Sequence, residues 1–387
     1  MTTLYPMLIK PRFDERIWGG DLLATRLGKD APRDKLIGES WEVYEENTVL
    51  NGEYTGQTIG QLRAVMGHEL TGQVDPDQLF PLLTKFIDAH DVLSVQVHPD
   101  DHFAQTLEHQ RHGKTECWYV LWAEPGSVLT YGFSRDTSPD EYTELVQSGK
   151  LDQVLRSLPV KAGDVVYIPA GTVHAIGAGI GVYELQQTSD VTYRIYDWNR
   201  RDASGQTRLL HVDQARQVLD YHRWTRGPIQ PLSLPGSDRT MLIAGEYFCQ
   251  ELIDATRPRE LSTHQSAVAV AALDQPLSIR LAGGDEVVRH PPMRPCWFRP
   301  RPAPIPCSRR TATGPRRALW WPTCRPPVRT PRISYGPLVA PTMISRRSWP
   351  SSRRPKTWDS RRLRTAGDLW PIITPMTVRH TIEQACV

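Results

Sequence analysis

The stretch LSVQVHPDD, Leu93–Asp101, has the alternation of a β-strand that carries polar side chains on one face. Successive side chains on a strand point to opposite faces, so Ser94, Gln96 and His98 share one face and the apolar residues between them share the other. Pro99 ends the strand because it lacks a backbone donor. The nitrogen and oxygen atoms on the polar face are of the kind that binds a divalent cation.

Two later segments supply candidate partners for that cation. Glu116 lies in GKTECWYVLW (Gly113–Trp122), on the strand face opposite Cys117. His174 lies in GDVVYIPAGTVHAIGAG (Gly163–Gly179), where a β-branched run breaks at Pro-Ala-Gly and a new strand begins. The glycines at both ends are typical of the tight turns of a small barrel.

Four segments, QVHPDD, GKTECWYVL, YIPAGTVHAIG and LQQTSDVTYRIYDW, resemble in this order the type I phosphomannose isomerases in their shorter bacterial form, which are zinc-dependent cupin enzymes. The segments YPMLIKPRFDERIWGG (Tyr5–Gly20) and GESWEVYEE (Gly38–Glu46) resemble the start of that family. The resemblance extends over about residues 4–288. Its motifs are specific in combination, although each alone is weak.

The resemblance, together with many short strands separated by turn residues, predicts an all-β dominated fold. We expect a cupin (jelly-roll) barrel with inserted helices as a catalytic domain at 1–225, a linker at 226–237, and a second, smaller, incomplete β-barrel at 238–289. Ser138 followed by Pro139 predicts the start of a helix. A further short helix is expected at about Leu151–Ser157.

The last hundred residues, 290–387, have an unusual composition. They contain 18 of the 33 prolines, six of the 12 tryptophans and four of the six cysteines, whereas a disordered tail is poor in Trp and Cys. Read back through the genetic code and shifted by two bases, HPPMRPCWFRPRPAPIPC (His290–Cys307) permits PADATLLVPAAAGAYTL, the strand, turn and strand of a closing hairpin. We interpret the tail as out-of-frame, disordered sequence after a frameshift near Val288–Arg289. The alternative is a genuine basic tail that binds nucleic acid or anionic surfaces.

Charge also separates the tail from the body. Residues 290–387 hold 18 Arg and one Lys against three acidic residues, a net charge of +16, so residues 1–289 carry −13 of the total of +3. An acidic body has no electrostatic footprint for nucleic acid. Two cysteines in the body imply no disulfide framework. With neither a signal peptide nor an apolar run of about 18 residues, we expect a cytoplasmic protein without a membrane partner, whose oligomeric state, a monomer included, stays open.

The resemblance implies that one zinc ion per chain is held by Gln96, His98, Glu116 and His174. Taken singly, a strand Gln or Glu is usually a solvated residue, and a lone His is usually a hydrogen-bonded core residue. Four such residues in matching motifs instead predict a metal centre. Two imidazoles, a carboxylate and an amide oxygen leave a position for water or a substrate oxygen.

Lys114 and Ser94 are candidates for binding the substrate. Lys114 shares a strand face with Glu116 and can meet a phosphate or a sugar oxygen, so it is a candidate for catalysis as well. Ser94 shares the face of the metal ligands and can donate to a phosphate. The alternatives are a solvated turn lysine and a half-buried strand serine.

The segment YELQQTSDVTYRIYDWNR, Tyr183–Arg200, adds catalytic candidates at the family's spacing: Glu184, Asp190 and Arg194. Arg194 is the candidate for stabilising charge on an enediol oxygen, because guanidinium stays protonated. Arg200 falls where longer family members carry a Lys and is a substrate-binding candidate. A structural ion pair is the alternative for Asp190 and Arg194.

The reaction that the resemblance implies is the interconversion of mannose 6-phosphate and fructose 6-phosphate by zinc-assisted proton transfer through a cis-enediol. The sugar phosphate is the only partner implied. The sequence does not identify the base: a metal-bound water, His98, Glu184 and Asp190 all remain candidates. The alternatives are a catalytically silent sugar-phosphate-binding cupin and another metal cupin enzyme.

Overall fold

Short strands dominate the computed structural model, which describes residues 5–290 apart from 73, 76, 202–203, 256–257, 259–260, 262–265, 274 and 281–286, together with residues 376–379. In chain order the strands are β1 (Arg12–Gly20), β2 (Ile37–Val43), β3 (Leu82–Ala89), β4 (Val95–Val97), β5 (Glu116–Ala123), β6 (Val128–Phe133), β7 (Leu155–Pro159), β8 (Val165–Ile168), β9 (His174–Ala175), β10 (Ile180–Gln187), β11 (Tyr193–Tyr196), β12 (Leu232–Ser233), β13 (Arg239–Ala244), β14 (Cys249–Asp254), β15 (Val270–Ala272), β16 (Leu277–Ile279), β17 (Val288–His290) and β18 (Met376–Arg379). The β-dominated fold class predicted from the sequence is confirmed.

Two antiparallel sheets form the body of the fold. The first has the strand order β1-β2-β3-β10-β5-β8, and the second has the order β11-β4-β9-β6-β7. From β3 to β11 every step along the chain except β6 to β7 changes sheet, as in a jelly roll. In the part of the chain that is described, the sheets face each other across a shared core but do not close into a barrel.

The described helices are α1 (Leu22–Thr25), α2 (Ile59–Met66), α3 (His68–Thr71), α4 (Asp101–Glu108), α5 (Pro139–Gln147) and α6 (Val212–Val218). Helix α5 begins as predicted: the Glu141 backbone N donates to Ser138 Oγ over 3.1 Å, and Pro139 occupies the first turn. The short helix predicted at about Leu151–Ser157 is present only over its first four residues. A short 3₁₀ turn, Leu151–Val154, leads directly into β7, because pairing with β6 overrides the local helical preference.

Alternation along the strands divides the core into layers. Trp118 and Val120 of β5 point between the two sheets, where they pack with residues of β6. Cys117 and Tyr119 of the same strand point to the other side, where they pack with Leu242 of β13. Strand β5 is therefore buried on both faces.

The second sheet is covered on its outer face by helices. Val95 and Val97 of β4 pack there with Tyr142 of α5 and Ala215 of α6. Because alternate residues point to opposite faces, this packing turns Gln96 and its polar neighbours toward the space between the sheets. The alternation of apolar and polar residues along β4 thus places polar side chains in the protein interior, between the two sheets.

A third sheet has the order β12-β13-β14-β18-β15, with β18 parallel to both of its neighbours, and β16 and β17 form a separate antiparallel pair. Apart from residues 290 and 376–379, the predicted out-of-frame tail lies outside the described residues, so the frameshift stays a prediction. None of the described helices has both the length and the apolar character needed to span a bilayer.

Asp88 of β3 is a fully buried carboxyl group with incomplete hydrogen bonding. The Leu22 backbone N donates to Oδ2 over 2.8 Å, whereas Oδ1 has no hydrogen-bond partner. Burial raises the pKa of Asp88 to about 6. Because the folded-state pKa lies above the unfolded-state value, ionisation of Asp88 destabilises the folded protein. The contribution of Asp88 to the free energy of unfolding is therefore fully present below pH 4. It is lost as the pH rises through 6, which lowers the free energy of unfolding by up to about 3 kcal/mol.

The variant Asp88→Asn keeps an acceptor for the Leu22 backbone N without the buried charge. We expect its free energy of unfolding to exceed that of the wild type by up to about 3 kcal/mol at pH 7.5, and the advantage to shrink toward pH 4. Urea denaturation of both proteins at several pH values between 4 and 7.5 measures this difference. A gain that is equal at all pH values would contradict the assignment.

Candidate metal centre and active site

Three buried ligand-type side chains converge between the two sheets: His98, Glu116 and His174. Gln96 of β4 is paired with His174 of β9, while Glu116 begins β5 in the facing sheet. The Nε2 atoms of His98 and His174 lie 3.3 Å and 3.6 Å from the two carboxylate oxygens of Glu116. All three candidate ligand atoms lie within 4.8 Å of one another.

Backbone carbonyls fix the orientation of both imidazoles. His98 Nδ1 is 2.9 Å from the carbonyl oxygen of Val191, and His174 Nδ1 is 2.8 Å from that of Thr172. A carbonyl accepts only, so each Nδ1 carries the proton and donates it, and each Nε2 presents its lone pair to Glu116. Metal-ligating histidines in proteins are oriented in this way.

The electrostatics of the cluster favour a cation at its centre. Burial, followed by the nearby Lys114 ammonium, lowers the pKa of His98 to about 3, and burial also lowers the pKa of His174. Both rings are therefore neutral near pH 7, so two lone pairs and a carboxylate face one another in a buried space. Glu116 Oε2 has no hydrogen-bond partner. This donor set of two imidazoles and a carboxylate fits a divalent ion such as zinc.

Lys114 supplies the positive charge next to this cluster. Its Nζ lies 2.5 Å from Glu116 Oε1 and 3.2 Å from His98 Nε2, and the residue is buried. Although burial opposes it, Lys114 holds the pKa of the Glu116 carboxyl well below its ordinary value. A Cβ at Gly113 would clash with the backbone of Asp100, so only glycine permits the close approach that brings Lys114 beside His98.

Gln96 lies at the edge of the cluster, where its amide nitrogen is 3.3 Å from His174 Nε2. Rotation of the amide by 180° would place its oxygen at this position, and the two orientations differ only in which atom is assigned as nitrogen. The structure therefore brings all four sequence-predicted ligands together.

Glu184 lies on β10, next to β5, and is also buried. Trp118 Nε1 donates to its Oε2 over 2.8 Å, and Lys85 Nζ lies 3.3 Å from Oε1. Burial, followed by the negative charge of Glu116, raises the pKa of Glu184. Trp118 also contacts the His174 ring edge-on, with 5.5 Å between ring centroids, so it links Glu184 to the candidate ligands.

A row of cross-strand neighbours leads across the first sheet to this site. In register it reads Arg12, Trp41, Lys85, Glu184 and Trp118. The Trp41 ring lies between two cations, with Arg12 Cζ at 3.8 Å and Lys85 Nζ at 4.5 Å from its centroid. Sequence reasoning missed Lys85 and Trp41. The available signal was a lysine inside LLTKFIDA, a strand that is buried throughout.

The remaining candidates lie around the rim. Arg194 of β11 is paired with Gln96, and its Nε donates to Ser94 Oγ over 3.3 Å. Arg200 donates to the carbonyl of Val92 and does not reach the cluster. Asp190 is exposed, and within the described chain its carboxylate forms no ion pair with Arg194.

The pair Lys85–Glu184 provides a stability test that is independent of any function. Its side chains are 7% and 4% exposed. Removing one partner of a buried ion pair leaves the other charge uncompensated, at a cost of about 3–5 kcal/mol. We therefore expect Lys85→Met to lower the free energy of unfolding by about that amount, as measured by urea denaturation.

The double variant Lys85→Met/Glu184→Gln should recover part of this loss, because no unpaired charge remains. The exposed pair Arg135–Glu141 is the matched control, and Arg135→Met should change the free energy of unfolding by less than about 1 kcal/mol. Equal losses in the buried and the exposed variant would show that the Lys85–Glu184 contact is not a stabilising ion pair.

Several known proteins are similar to this chain in sequence and in structure. A family model of the type I phosphomannose isomerase catalytic domain matches residues 7–118. The mannose-6-phosphate isomerase of Streptococcus mutans is 41% identical over 248 residues, 63% of this chain and 77% of that protein. Mannose-6-phosphate isomerase ManA of Bacillus subtilis is 44% identical over 222 residues, 56% of this chain and 69% of that protein.

Solved structures of mannose 6-phosphate isomerases are also similar to this chain. The crystal structure of the mannose 6-phosphate isomerase from Bacillus subtilis has a TM-score of 0.58 at 37% identity and covers 63% of this chain and 78% of that one. A zinc-bound mannose 6-phosphate isomerase has a TM-score of 0.50 at 12% identity, with 63% of this chain and 82% of that one covered, and shows the fold alone. Because this chain is 41% and 44% identical to these two relatives and covers more than two thirds of the length of each, it belongs to the type I phosphomannose isomerase family.

Proposed function

We propose that this protein interconverts mannose 6-phosphate and fructose 6-phosphate with the help of one zinc ion bound between the two sheets. The observation that carries the proposal is the meeting of two neutral imidazoles and a carboxylate in a buried space, with Lys114 beside them. The relatives of this chain are mannose-6-phosphate isomerases, which supports the same substrate.

In this proposal His98, Glu116 and His174 hold the ion, and Gln96 completes the set with its amide oxygen. Zinc, when bound, supplies a Lewis acid that polarises the sugar oxygens next to the reacting carbons. Lys114, already bonded to Glu116, donates to the same oxygens and keeps the carboxylate ionised. Burial of these side chains keeps bulk water away from them.

Aldose–ketose isomerisation needs a group that removes the proton from C2 of the open-chain aldose and returns it to C1 of the cis-enediol. Glu184 is the protein residue that we assign to this step, because it is buried beside the cluster and its pKa is raised, while the Lys85 ammonium, 3.3 Å from Oε1, stabilises its ionised form. His98 is less suitable, because both ring nitrogens are engaged. Asp190 is exposed and faces solvent. We therefore propose Glu184 as the base.

Arg194 lies where negative charge on the substrate can be stabilised. Its guanidinium is held by Ser94 and by the carbonyl of Leu209, which leaves further donors for a substrate oxygen. Guanidinium binds two oxygens at once and does not deprotonate. Ser94 and Arg200 complete the substrate contacts in this proposal.

The function is tested by an isomerase assay on the purified full chain. Activity with mannose 6-phosphate should be abolished by a chelator and restored by zinc. Binding of the sugar phosphate without turnover, in protein shown to contain zinc, would favour the silent sugar-phosphate-binding cupin. Turnover of other substrates alone would favour another metal cupin enzyme.

Two variants separate metal binding from turnover. His174→Ala should lose the metal, measured as zinc per chain by elemental analysis, because it removes one ligand. Arg194→Ala should keep the metal and lose at least about a hundredfold in kcat, as expected when a charge-stabilising group is removed. Loss of zinc in the arginine variant would overturn the division of roles.

A further inference from the structure

Two arginines that follow β11 pair with a single carboxylate, that of Asp197, and a third arginine, Arg194, lies within β11. Arg208 Nε lies 2.6 Å from Asp197 Oδ2, and its Nη2 lies 2.5 Å from Oδ1. Arg200 Nη2 lies 2.6 Å from the same Oδ1. Burial, followed by the positive charge of Arg208, lowers the pKa of Arg194. Arg194 Nη1 also donates to the carbonyl of Leu209, the residue after Arg208. Asp197 thus orients two guanidiniums, and the chain next to one of them is bonded to the third.

A strained turn attaches this group to the strand that bears the candidate ligands. Trp198 and Asn199 have φ values of 57° and 52°, a left-handed conformation that non-glycine residues seldom adopt. Trp198 Nε1 donates to the carbonyl of Leu93, and Arg200 Nη1 donates to that of Val92. The turn is therefore fixed to the residues immediately before Ser94.

The local charge is not balanced. The guanidiniums of Arg200 and Arg208 share one buried carboxylate, and Asp91, 3.6 Å from Arg200, is more than half exposed. Among the described residues, Arg208 Nη1 and Arg194 Nη2 donate no hydrogen bond. Arg200 Nε is buried and likewise lacks an acceptor. A cluster with excess positive charge and spare planar donors suits a phosphate dianion.

We propose that Arg208, held in place by Asp197, binds the phosphate group of the substrate and sets the preference for phosphorylated over unphosphorylated hexoses. This inference rests on the proposed function, because it assigns a further residue to the same substrate. Nothing in the sequence motifs pointed to Arg208, which lies eight residues beyond Arg200.

Strand geometry supports this placement. Ser94, which contacts Arg194, immediately precedes β4 and lies two residues before Gln96, a separation of at most about 7 Å. A hexose phosphate spans a similar distance from its reacting carbons to its phosphate. A sugar whose C1 and C2 lie at the ligand cluster would therefore extend its phosphate toward the arginines.

The experiment compares Arg208→Gln, Arg208→Lys and the wild-type full chain. We expect Arg208→Gln to raise KM for mannose 6-phosphate and the inhibition constant of inorganic phosphate by about tenfold or more, as the loss of a charge-assisted hydrogen bond implies. Its kcat, its zinc content and its kcat/KM for unphosphorylated mannose should stay within about threefold of the wild type. Arg135→Gln, which alters an exposed pair, is the matched control and should change none of these values.

The variant Arg208→Lys distinguishes phosphate binding by Arg208 from a purely structural role of its contact with Asp197. Arg208→Lys keeps the charge but cannot reproduce both hydrogen bonds to Asp197, so a loss of phosphate affinity clearly smaller than that of Arg208→Gln supports the inference. Equal losses in the lysine and glutamine variants, or losses that are the same for mannose and mannose 6-phosphate, would overturn it. If the wild type has no isomerase activity, the proposed function fails separately, and calorimetric titration with inorganic phosphate still compares the three proteins: unchanged affinity in Arg208→Gln would reject the phosphate site.

Discussion

The site depends on one constraint: a carboxylate and two imidazole lone pairs point at each other inside a protein. His98 and His174 cannot relieve the conflict by taking up protons, because burial keeps both rings neutral, and their Nδ1 atoms are committed to backbone carbonyls. Only a cation resolves such an arrangement, and Lys114 already provides part of it. The strands, the tight approach at Gly113 and the helices behind β4 all serve to hold these groups together against their mutual repulsion.

Around this centre the interior is close to charge balance before any metal is counted. Lys85 and Lys114 offset Glu116 and Glu184, and all four are buried. A divalent cation added to this set would leave an excess of two positive charges in a region of low dielectric constant, where electrostatic interactions are strong. The interior would then favour a substrate that acquires negative charge as it reacts. In the proposed function, selectivity for an anionic sugar and stabilisation of an enediol would thus share a physical origin.

The strand segments could be predicted from local signals such as the alternation in LSVQVHPDD. The four candidate ligands lie on separate segments, and it was the resemblance to a known family that joined them into one set. The helix proposed at about Leu151–Ser157 ends at Val154 because the residues after it pair with β6, a long-range effect that the local pattern does not contain. Lys85 and Trp41 escaped notice for the same reason, since their contact with Glu184 arises from cross-strand register. Asp190 was selected by spacing alone, and the fold leaves it exposed.

Strand β5 also connects the candidate metal site to a distant part of the hydrophobic core. Its first residue is Glu116, while Cys117 and Tyr119 on its reverse side pack with Leu242 and Phe248 of the carboxyl-terminal region. A ligand that binds only the folded state stabilises that state by mass action, and the folded state in turn sets the apparent affinity for the ligand. If the proposed zinc ion is bound, changes beyond position 238 that destabilise this packing would weaken its retention from a distance, even with every coordinating atom in place.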